Sequence, residues 1–426
     1  MLSAEDNELL TRIGPDARMG KLLRRYWHPI AGISDLETSW TRRVRLLGED
    51  LVLFKDRSGR LGLIAEYCPH RRASLAYGIP TEDGIRCPYH GWEMDAGGLC
   101  LDQPNETNHG ALRGKPVTTG YPVQVLGGMI WAYLGPAPAP QLPRFEGFVT
   151  EPAIRHCGRA LLSCNWLQCM ENSADPVHTE WLHGKFYEYL HEADGVKVAQ
   201  GRHHERIAFD ESELGIVKRR LMAGQSEDCD DWRIGHPLLF PNSLAVGSGN
   251  DVWRILTFQI RVPVDDTHTM HYWYQTFLPE PGTQVPTSLT GRVPVYDVPT
   301  KDENGEYLLE YIDIQDVMAW ETQGAIADRT REKLGATDQG VVLLRTMLKR
   351  ELDKVERGLD PLGVVRDPSN RMIEIHFERA KDMMSDGFLK FFPRNTGMFS
   401  PFRDDLLATF ESNLRRRRGT QSTTHA

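Results

Sequence analysis

Cys68 and His70 are followed, after sixteen residues, by Cys87 and His90 in the stretch CPHRRASLAYGIPTEDGIRCPYHGW. Two thiolates and two imidazoles are ligands for zinc or for iron. Zinc fingers set their histidines together on one helix, whereas here each loop offers one cysteine and one histidine. That mixed arrangement suits a two-iron cluster in which two thiolates hold one iron and two imidazoles the other. Pro69 and Pro88 stiffen the loops, and Gly91 lets the chain turn beside the second histidine.

A second group lies about ninety residues further on, in NWLQCMENSADPVHTEWLHG. It contains Asp175, then His178, then His183. Two neutral imidazoles and one carboxylate make the facial triad of non-haem Fe(II) oxygenases, which leaves positions open for water and dioxygen. The histidines are five residues apart. On a straight α-helix they would point about 140° apart, so one ion could not reach both. The spacing predicts a kink or a π-bulge between them, after Pro176.

These residues need elements to hold them. Residues 4–26 carry helical apolar spacing interrupted at Gly14-Pro15. VRLLGEDLVLFKD predicts two short strands around a Gly-Glu-Asp turn, and DRSG at 56–59 a second turn. β-rich texture continues to GGMIWAYLG at 127–135, and the proline-rich GPAPAPQLPRF then reads as a stiff, extended linker. Helix is expected over 165–190, strands within 205–280, and helix again over 307–356 and at the C-terminal end. The predicted organisation is a helical segment at 1–29, a small antiparallel β domain at 30–135, a linker at 136–148 and a larger α+β domain at 149–426.

Composition excludes several function classes. A net charge of -9 argues against wholesale nucleic-acid binding. No apolar run reaches the roughly 18 residues of a membrane helix. MLSAEDNELL lacks the basic and apolar regions of a secretory signal, so a cytoplasmic protein is expected. Seven irregularly spaced cysteines do not make a disulfide framework, and the five without a nearby histidine read as packing residues.

Residues 30–135, with the Cys68/His70 and Cys87/His90 loops, resemble the Rieske domain of aromatic-ring oxygenases. Respiratory Rieske proteins carry two further cysteines that form a disulfide across the loops; the matching positions here are Ala73 and Tyr89. The Asp175, His178, His183 signature resembles that of oxygenase α subunits. The resemblance implies a [2Fe-2S] cluster on the four loop residues and a mononuclear Fe(II) on the two histidines. It makes Asp175 not a ligand but the carboxylate that links His178 to a cluster histidine, His90, of an adjacent subunit. The third ligand would be a downstream acid in EYIDIQDVMAWETQG, with Asp316 the best fit, Asp313 its rival and Asp328 a more distant one. Family members often have Asn or Gln one turn before the bridging acid, where this chain has Glu171 followed by Asn172.

The segments LLTRIGPDARMGKLLRRYWHP, VRLLGEDLVLFKDRSGRLGLI and WETQGAIADRTREKLGATDQG are similar to those of the phthalate dioxygenase branch, which includes 5,5'-dehydrodivanillate O-demethylases. That likeness implies a helix-grip (START-like) catalytic domain and a homotrimer or stacked trimers. It also implies hydroxylation or O-demethylation of an anionic aromatic. A cis-dihydroxylating phthalate- or benzoate-type dioxygenase is the alternative, and a non-catalytic electron carrier a remote one. The chain has no dinucleotide fingerprint and no flavin or plant-type ferredoxin motif, so NAD(P)H electrons would arrive through a separate reductase. Arg206, Arg219, Arg220 and Arg233 are candidate anion binders, with surface roles the competing reading.

Overall fold

The computed structural model describes residues 1–198, 201–249, 253–376 and 392–423. Two helices open the chain, α1 (Ala4–Thr11) and α2 (Arg18–Leu23), separated at Gly14-Pro15 as expected. Ser3 caps α1 by accepting from the Asp6 N–H. Both helices pack against helices of the larger domain, at residues 166–174 and 339–356, and their buried side chains share a core with the β unit.

The β unit holds three small sheets. β1 (Trp27–Gly32) pairs with a returning strand, and β2 (Thr41–Leu46), β3 (Glu49–Lys55) and β4 (Leu61–Ala65) form a meander. β5 (Ile79–Pro80), β6 (Ile85–Arg86), β7 (Glu93–Met94) and β8 (Cys100–Asp102) follow, then β9 (Gly120–Tyr121), β10 (Val123–Leu126) and β11 (Met129–Tyr133). The turn between β2 and β3 is Leu47-Gly48, one residue earlier than the expected Gly-Glu-Asp. Both turn residues have positive φ, 50° and 80°, the requirement of the tight hairpin turn that matches strand twist. Leu47 tolerates this because the hairpin tip is clamped. Its N–H and that of Gly48 donate to the carbonyls of Pro263 and Val264.

The proline-rich linker is extended but strapped down. Gln141 N–H donates to Val365 and Trp27 Nε1–H to Pro140. Beyond it stands one eight-stranded sheet. Its strands are β12 (Ile154–Leu162), β13 (His204–Ser212), β14 (Gly215–Met222), β15 (His236–Leu239), β16 (Ser243–Gly249), β17 (Trp253–Asp265), β18 (His268–Pro279) and β19 (Val295–Asp297). The order is β13-β14-β15-β16-β17-β18-β12-β19, antiparallel except for β12 with β19. Side chains alternate across a strand, so this sheet has two jobs. Phe258, Ile260, Tyr272 and Tyr274 join the core shared with the β unit, where Tyr274 donates to the Gly127 carbonyl. Arg261, His271 and Trp273 look the other way, toward the helices.

Those helices are α3 (Trp166–Ala174), α4 (Ile312–Glu321) and α5 (Gln339–Glu356), with α6 (Arg403–Thr423) at the end. The whole is α+β, a small antiparallel β domain beside a larger domain whose sheet holds helices against one face. Helix over 307–356 is interrupted, contrary to expectation. Residues 322–335 run as turns and extended chain because they have better partners elsewhere. Gln168 accepts from Ala327 N–H, and Ala325 accepts from Asn165 N–H. Arg329, fully buried, forks onto Glu171.

Candidate metal centres

The first centre is built from one backbone figure used twice. Cys68 N–H donates to Ala73 and the Cys68 carbonyl accepts from Arg72; Cys87 N–H donates to Trp92 and the Cys87 carbonyl accepts from Gly91. Each loop therefore closes on itself at equivalent positions. The residue four past each cysteine has positive φ, 61° at Arg72 and 76° at Gly91. The second loop rides on the β6–β7 hairpin, and the first joins β4 to β5.

The loops place Cys68 and Cys87 inside and His70 and His90 at the surface. The two imidazole centroids are 4.7 Å apart, and His70 stacks on Trp92 at 4.8 Å. Where a disulfide would cross the loops, Ala73 and Tyr89 stand free of it. Arg71 of the first loop instead lies 5.5 Å from the Tyr89 ring of the second, a cation–π contact. Burial pushes the Cys68 thiol up to about 11, so a thiolate there needs a cation beside it. Zinc would draw four ligand atoms around one point. Among the described residues no three of Cys68, His70, Cys87 and His90 converge in that way. The donor set fits a two-iron cluster, with sulfurs at one end and imidazoles at the other.

The second centre starts where α3 stops. Asp175 Oδ1 accepts the Val177 N–H at 2.7 Å and Oδ2 the His178 N–H at 3.3 Å. It therefore also caps the chain that restarts after Pro176. From Thr179 to Phe186 the helix is π, the distortion that the five-residue spacing demanded. Its i→i+5 bonding brings the two rings within 5.2 Å, almost perpendicular at 80°.

α4 supplies the third group. Asp316 Oδ1 lies 3.3 Å from His183 Nε2 and 3.7 Å from His178 Nε2. The three residues form the only group of metal-ligand side chains within 4.8 Å of one another among the described residues. Burial alone would raise the Asp316 carboxyl, but the His183 imidazole outweighs it and holds the group well below the carboxylate range. Burial would likewise lower His183, yet Asp316 raises it. Two imidazoles and a buried carboxylate, with their Nε2 and Oδ1 atoms convergent, fit a divalent iron.

Around this triad are groups that orient it. His183 Nδ1–H donates to Gln315 Oε1 at 3.0 Å, and Gln315 Nε2–H in turn donates to Leu309 at 2.8 Å. The amide orientation thus fixes the tautomer that leaves Nε2 free. On His178 the outward Nδ1 faces Asp175 Oδ2 at 3.6 Å, within ion-pair range but long for a hydrogen bond. Burial would raise Asp175, and the neighbouring His178 ring lowers it.

Some expectations change. Asp313 turns away and accepts from Thr396 N–H and Oγ1–H at 2.9 and 3.0 Å, and Asp328 is exposed and bonds Thr330. Glu171 does not reach the triad, because Arg329 and Arg345 bond it. Its neighbour Asn172 sits there instead, donating Nδ2–H to Asp316 Oδ1 at 3.1 Å. The arginines of β13 and β14 are paired at or near the surface, Arg206 with Glu227, Arg219 with Asp210 and Arg220 with Asp231, and Arg233 is exposed. Sequence reasoning missed Gln315 and Glu180, and named Asn172 only as the neighbour of Glu171. Glu180, buried and standing between His178 and His183 in the sequence, accepts from His204 N–H at 2.8 Å and from the Nδ1 atoms of His203 and His204. It ties the π segment to the start of β13. An acid inside WLHG-type apolar sequence was the available signal.

Comparison with known proteins agrees with this geometry. Residues 26–122 match the Rieske [2Fe-2S] domain family, and residues 300–377 a LigXa C-terminal-like domain. The chain is 43% identical over 376 residues to the 5,5'-dehydrodivanillate O-demethylase oxygenase subunit of Sphingobium sp. (strain NBRC 103272 / SYK-6), covering 87% of this chain and 85% of that one. It is 31% identical to the phthalate 4,5-dioxygenase oxygenase subunit of Pseudomonas putida, covering 85% and 89%. The structure of NdmB from Pseudomonas putida CBB5 superposes with a TM-score of 0.59 at 19% identity, covering 79% of this chain and 93% of that one, which shows a shared fold. A cluster-type pair of Cys-His loops, a separate two-histidine-one-carboxylate centre and relatives of this closeness over most of the chain have one common reading: the chain belongs to the Rieske non-haem iron oxygenases, as a terminal oxygenase α subunit.

Proposed function

We propose that this oxygenase hydroxylates or O-demethylates an anionic aromatic compound, an aromatic carboxylate or a methoxylated lignin-derived aromatic. The observation that carries the reading is the convergence of His178, His183 and Asp316 in the same chain as the two Cys-His loops. The 43% relative, named an O-demethylase, supports the substrate class. In this reading Cys68, His70, Cys87 and His90 hold the [2Fe-2S] cluster, and the triad holds a mononuclear Fe(II). When bound, the cluster supplies single electrons and the iron activates dioxygen.

The protein's part is positioning. Gln315 and Asn172 aim His183 and Asp316. Asp175 faces the outer nitrogen of His178 and is left to accept an N–H from His90 of the partner subunit. Trp181, 65% exposed on the π segment, and Tyr89, 56% exposed on the cluster loop, are large apolar groups that a neighbouring subunit would cover. They support a homotrimer or stacked trimers. No helix among the described residues is long and apolar enough to cross a membrane, in keeping with a cytoplasmic enzyme of aromatic catabolism. A separate reductase brings electrons from NAD(P)H.

The test is a screen of the holoenzyme with a surrogate reductase on phthalates, benzoates and methoxylated biaryls, following oxygen uptake and product together. Coupled uptake on an acid is expected. Formaldehyde release marks demethylation and a cis-diol marks dihydroxylation. Uptake that yields only peroxide with every acid would overturn the proposal.

A further inference from the structure

Three charged residues stand in one row of the small sheet that carries the second cluster loop. Arg86 on β6 faces Glu93 on β7, and Glu93 faces Asp102 on β8. Glu93 and Asp102 are like charges directly opposite each other, an arrangement that ordinarily destabilises a sheet. Arg86 spans it. Its Nη2–H donates to Glu93 Oε2, and its Nη1–H donates to Asp102 Oδ2 at 2.9 Å. One guanidinium therefore serves two carboxylates.

The row is tied to the loop at both ends. Arg86 directly precedes Cys87, and its Nη1–H also donates to the carbonyl of Gly91, next to His90, at 2.6 Å. Three residues past Asp102, Asn105 Nδ2–H donates to the His90 carbonyl at 3.3 Å. Glu93 is buried, and its other oxygen accepts from Thr81 Oγ1–H at 2.5 Å. Asp102 Oδ1 faces His109 Nδ1 at 2.9 Å. Burial would raise the Asp102 carboxyl, but the Arg86 guanidinium and His109 hold it below its ordinary value, so it stays ionised at neutral pH. Beneath the first loop the corresponding pair is balanced, Glu66 with Arg43. Arg71 and Arg72 of that loop are exposed, where water and salt screen them.

We propose that Arg86 sets the reduction potential of the cluster by offsetting Glu93 and Asp102, and so decides how readily electrons enter from the reductase and leave for the triad. The inference rests on the reading above that the two Cys-His loops hold a [2Fe-2S] cluster. Each electron delivered by the reductase adds one negative charge beside the row, and net charge around an iron–sulfur cluster is a main control of its potential. Two carboxylates alone would resist that charge. Arg86 cancels one of them, and its bond to Gly91 holds the guanidinium at a fixed place against the loop. It touches no substrate and acts by charge and position.

The test is a potentiometric titration of the holoenzyme at one fixed pH, followed by cluster absorbance. Arg86→Gln leaves both carboxylates without their cation and should shift the one-electron equilibrium toward the oxidised form about tenfold, a fall of about 59 mV. Glu93→Gln should raise the potential by a similar factor. The double variant Arg86→Gln/Glu93→Gln keeps the net charge of wild type and should return close to its potential, and Arg86→Lys should stay closer to wild type than Arg86→Gln does. If Arg86→Gln loses its cluster, Glu93→Gln and Asp102→Asn decide, and both should raise the potential. Wild-type potentials in the cluster-loaded variants, or a shift of the same sign in Arg86→Gln and Glu93→Gln, would reduce Arg86 to a structural tie and overturn the tuning role alone. A wild-type protein that stays colourless after reconstitution with iron and sulfide overturns the cluster reading and the inference with it.

Discussion

Asn172 donates its side-chain amide to Asp316 Oδ1 at 3.1 Å, the same oxygen that faces both histidines of the triad. The bond crosses from α3 to α4 and limits how that carboxylate can rotate. Asn172→Ala should lower iron affinity by about 10-fold, in the range seen when groups behind metal ligands are removed. Iron content after dialysis against a graded chelator, with the cluster absorbance as internal reference, measures it. Equal retention of iron by the variant and wild type would show the bond to be incidental.

Asp175→Asn is expected to leave both metals bound and to slow single-turnover reduction of the iron site by at least about 10-fold. The carboxylate sits 3.6 Å from the outer nitrogen of His178, on the side away from Asp316. Its other task, capping Val177 and His178, survives in Asn, which is also a good cap. A wild-type reduction rate in the folded variant would remove Asp175 from the electron path.

Tyr89→Ala should loosen the cluster loops without unfolding the domain. It removes the Arg71 contact and the packing on His90, whose centroid is 3.8 Å away. The loss is worth about 0.5–1 kcal/mol at an exposed site. Bleaching of the cluster band in chelator should accelerate by a few-fold, while Arg415→Ala, at an exposed pair with Glu411 on α6, serves as control.

Removing the iron should make stability depend on pH in a defined window. In iron-depleted protein His183 is raised above its ordinary value by Asp316, against burial. Its stabilisation is full below roughly pH 6.5 and is lost as pH rises through the raised value. Asp316 is depressed by His183, again against burial. Its stabilisation is present above roughly pH 4 and is lost as pH falls through the depressed value. The melting temperature of the depleted protein should therefore peak between those limits, and Asp316→Asn should flatten that peak. A profile identical in the variant would show that the pair contributes nothing.

The sequence disclosed the parts of these sites that are local. Two Cys-His loops, a five-residue histidine spacing and an acid on a short apolar helix are each visible within a few residues, and the π distortion followed from the spacing alone. What was hidden is what depends on contact across the chain. Whether Glu171 or Asn172 faces the triad is settled by Arg329 and Arg345, more than 150 residues away in sequence. The break in helix over 322–335 was signalled in part by Gly324, whose φ is 91° just past the end of α4, but the hold of α3 on that segment was not visible. Arg261 and His271 lie in strands that read as ordinary alternation; only the strand register puts them side by side.

The π segment makes the proposed iron site sensitive to length as well as to identity. Between His178 and His183 lie Thr179, Glu180, Trp181 and Leu182, none of them a ligand. Deleting any one would let the helix relax to α and swing His183 by about 100°, away from Asp316. Every ligand would still be present in the sequence and the centre would be gone. In that reading the count of residues is as much a requirement for the metal as the ligands are, and a search for this site by residue type alone would pass such a broken copy as intact.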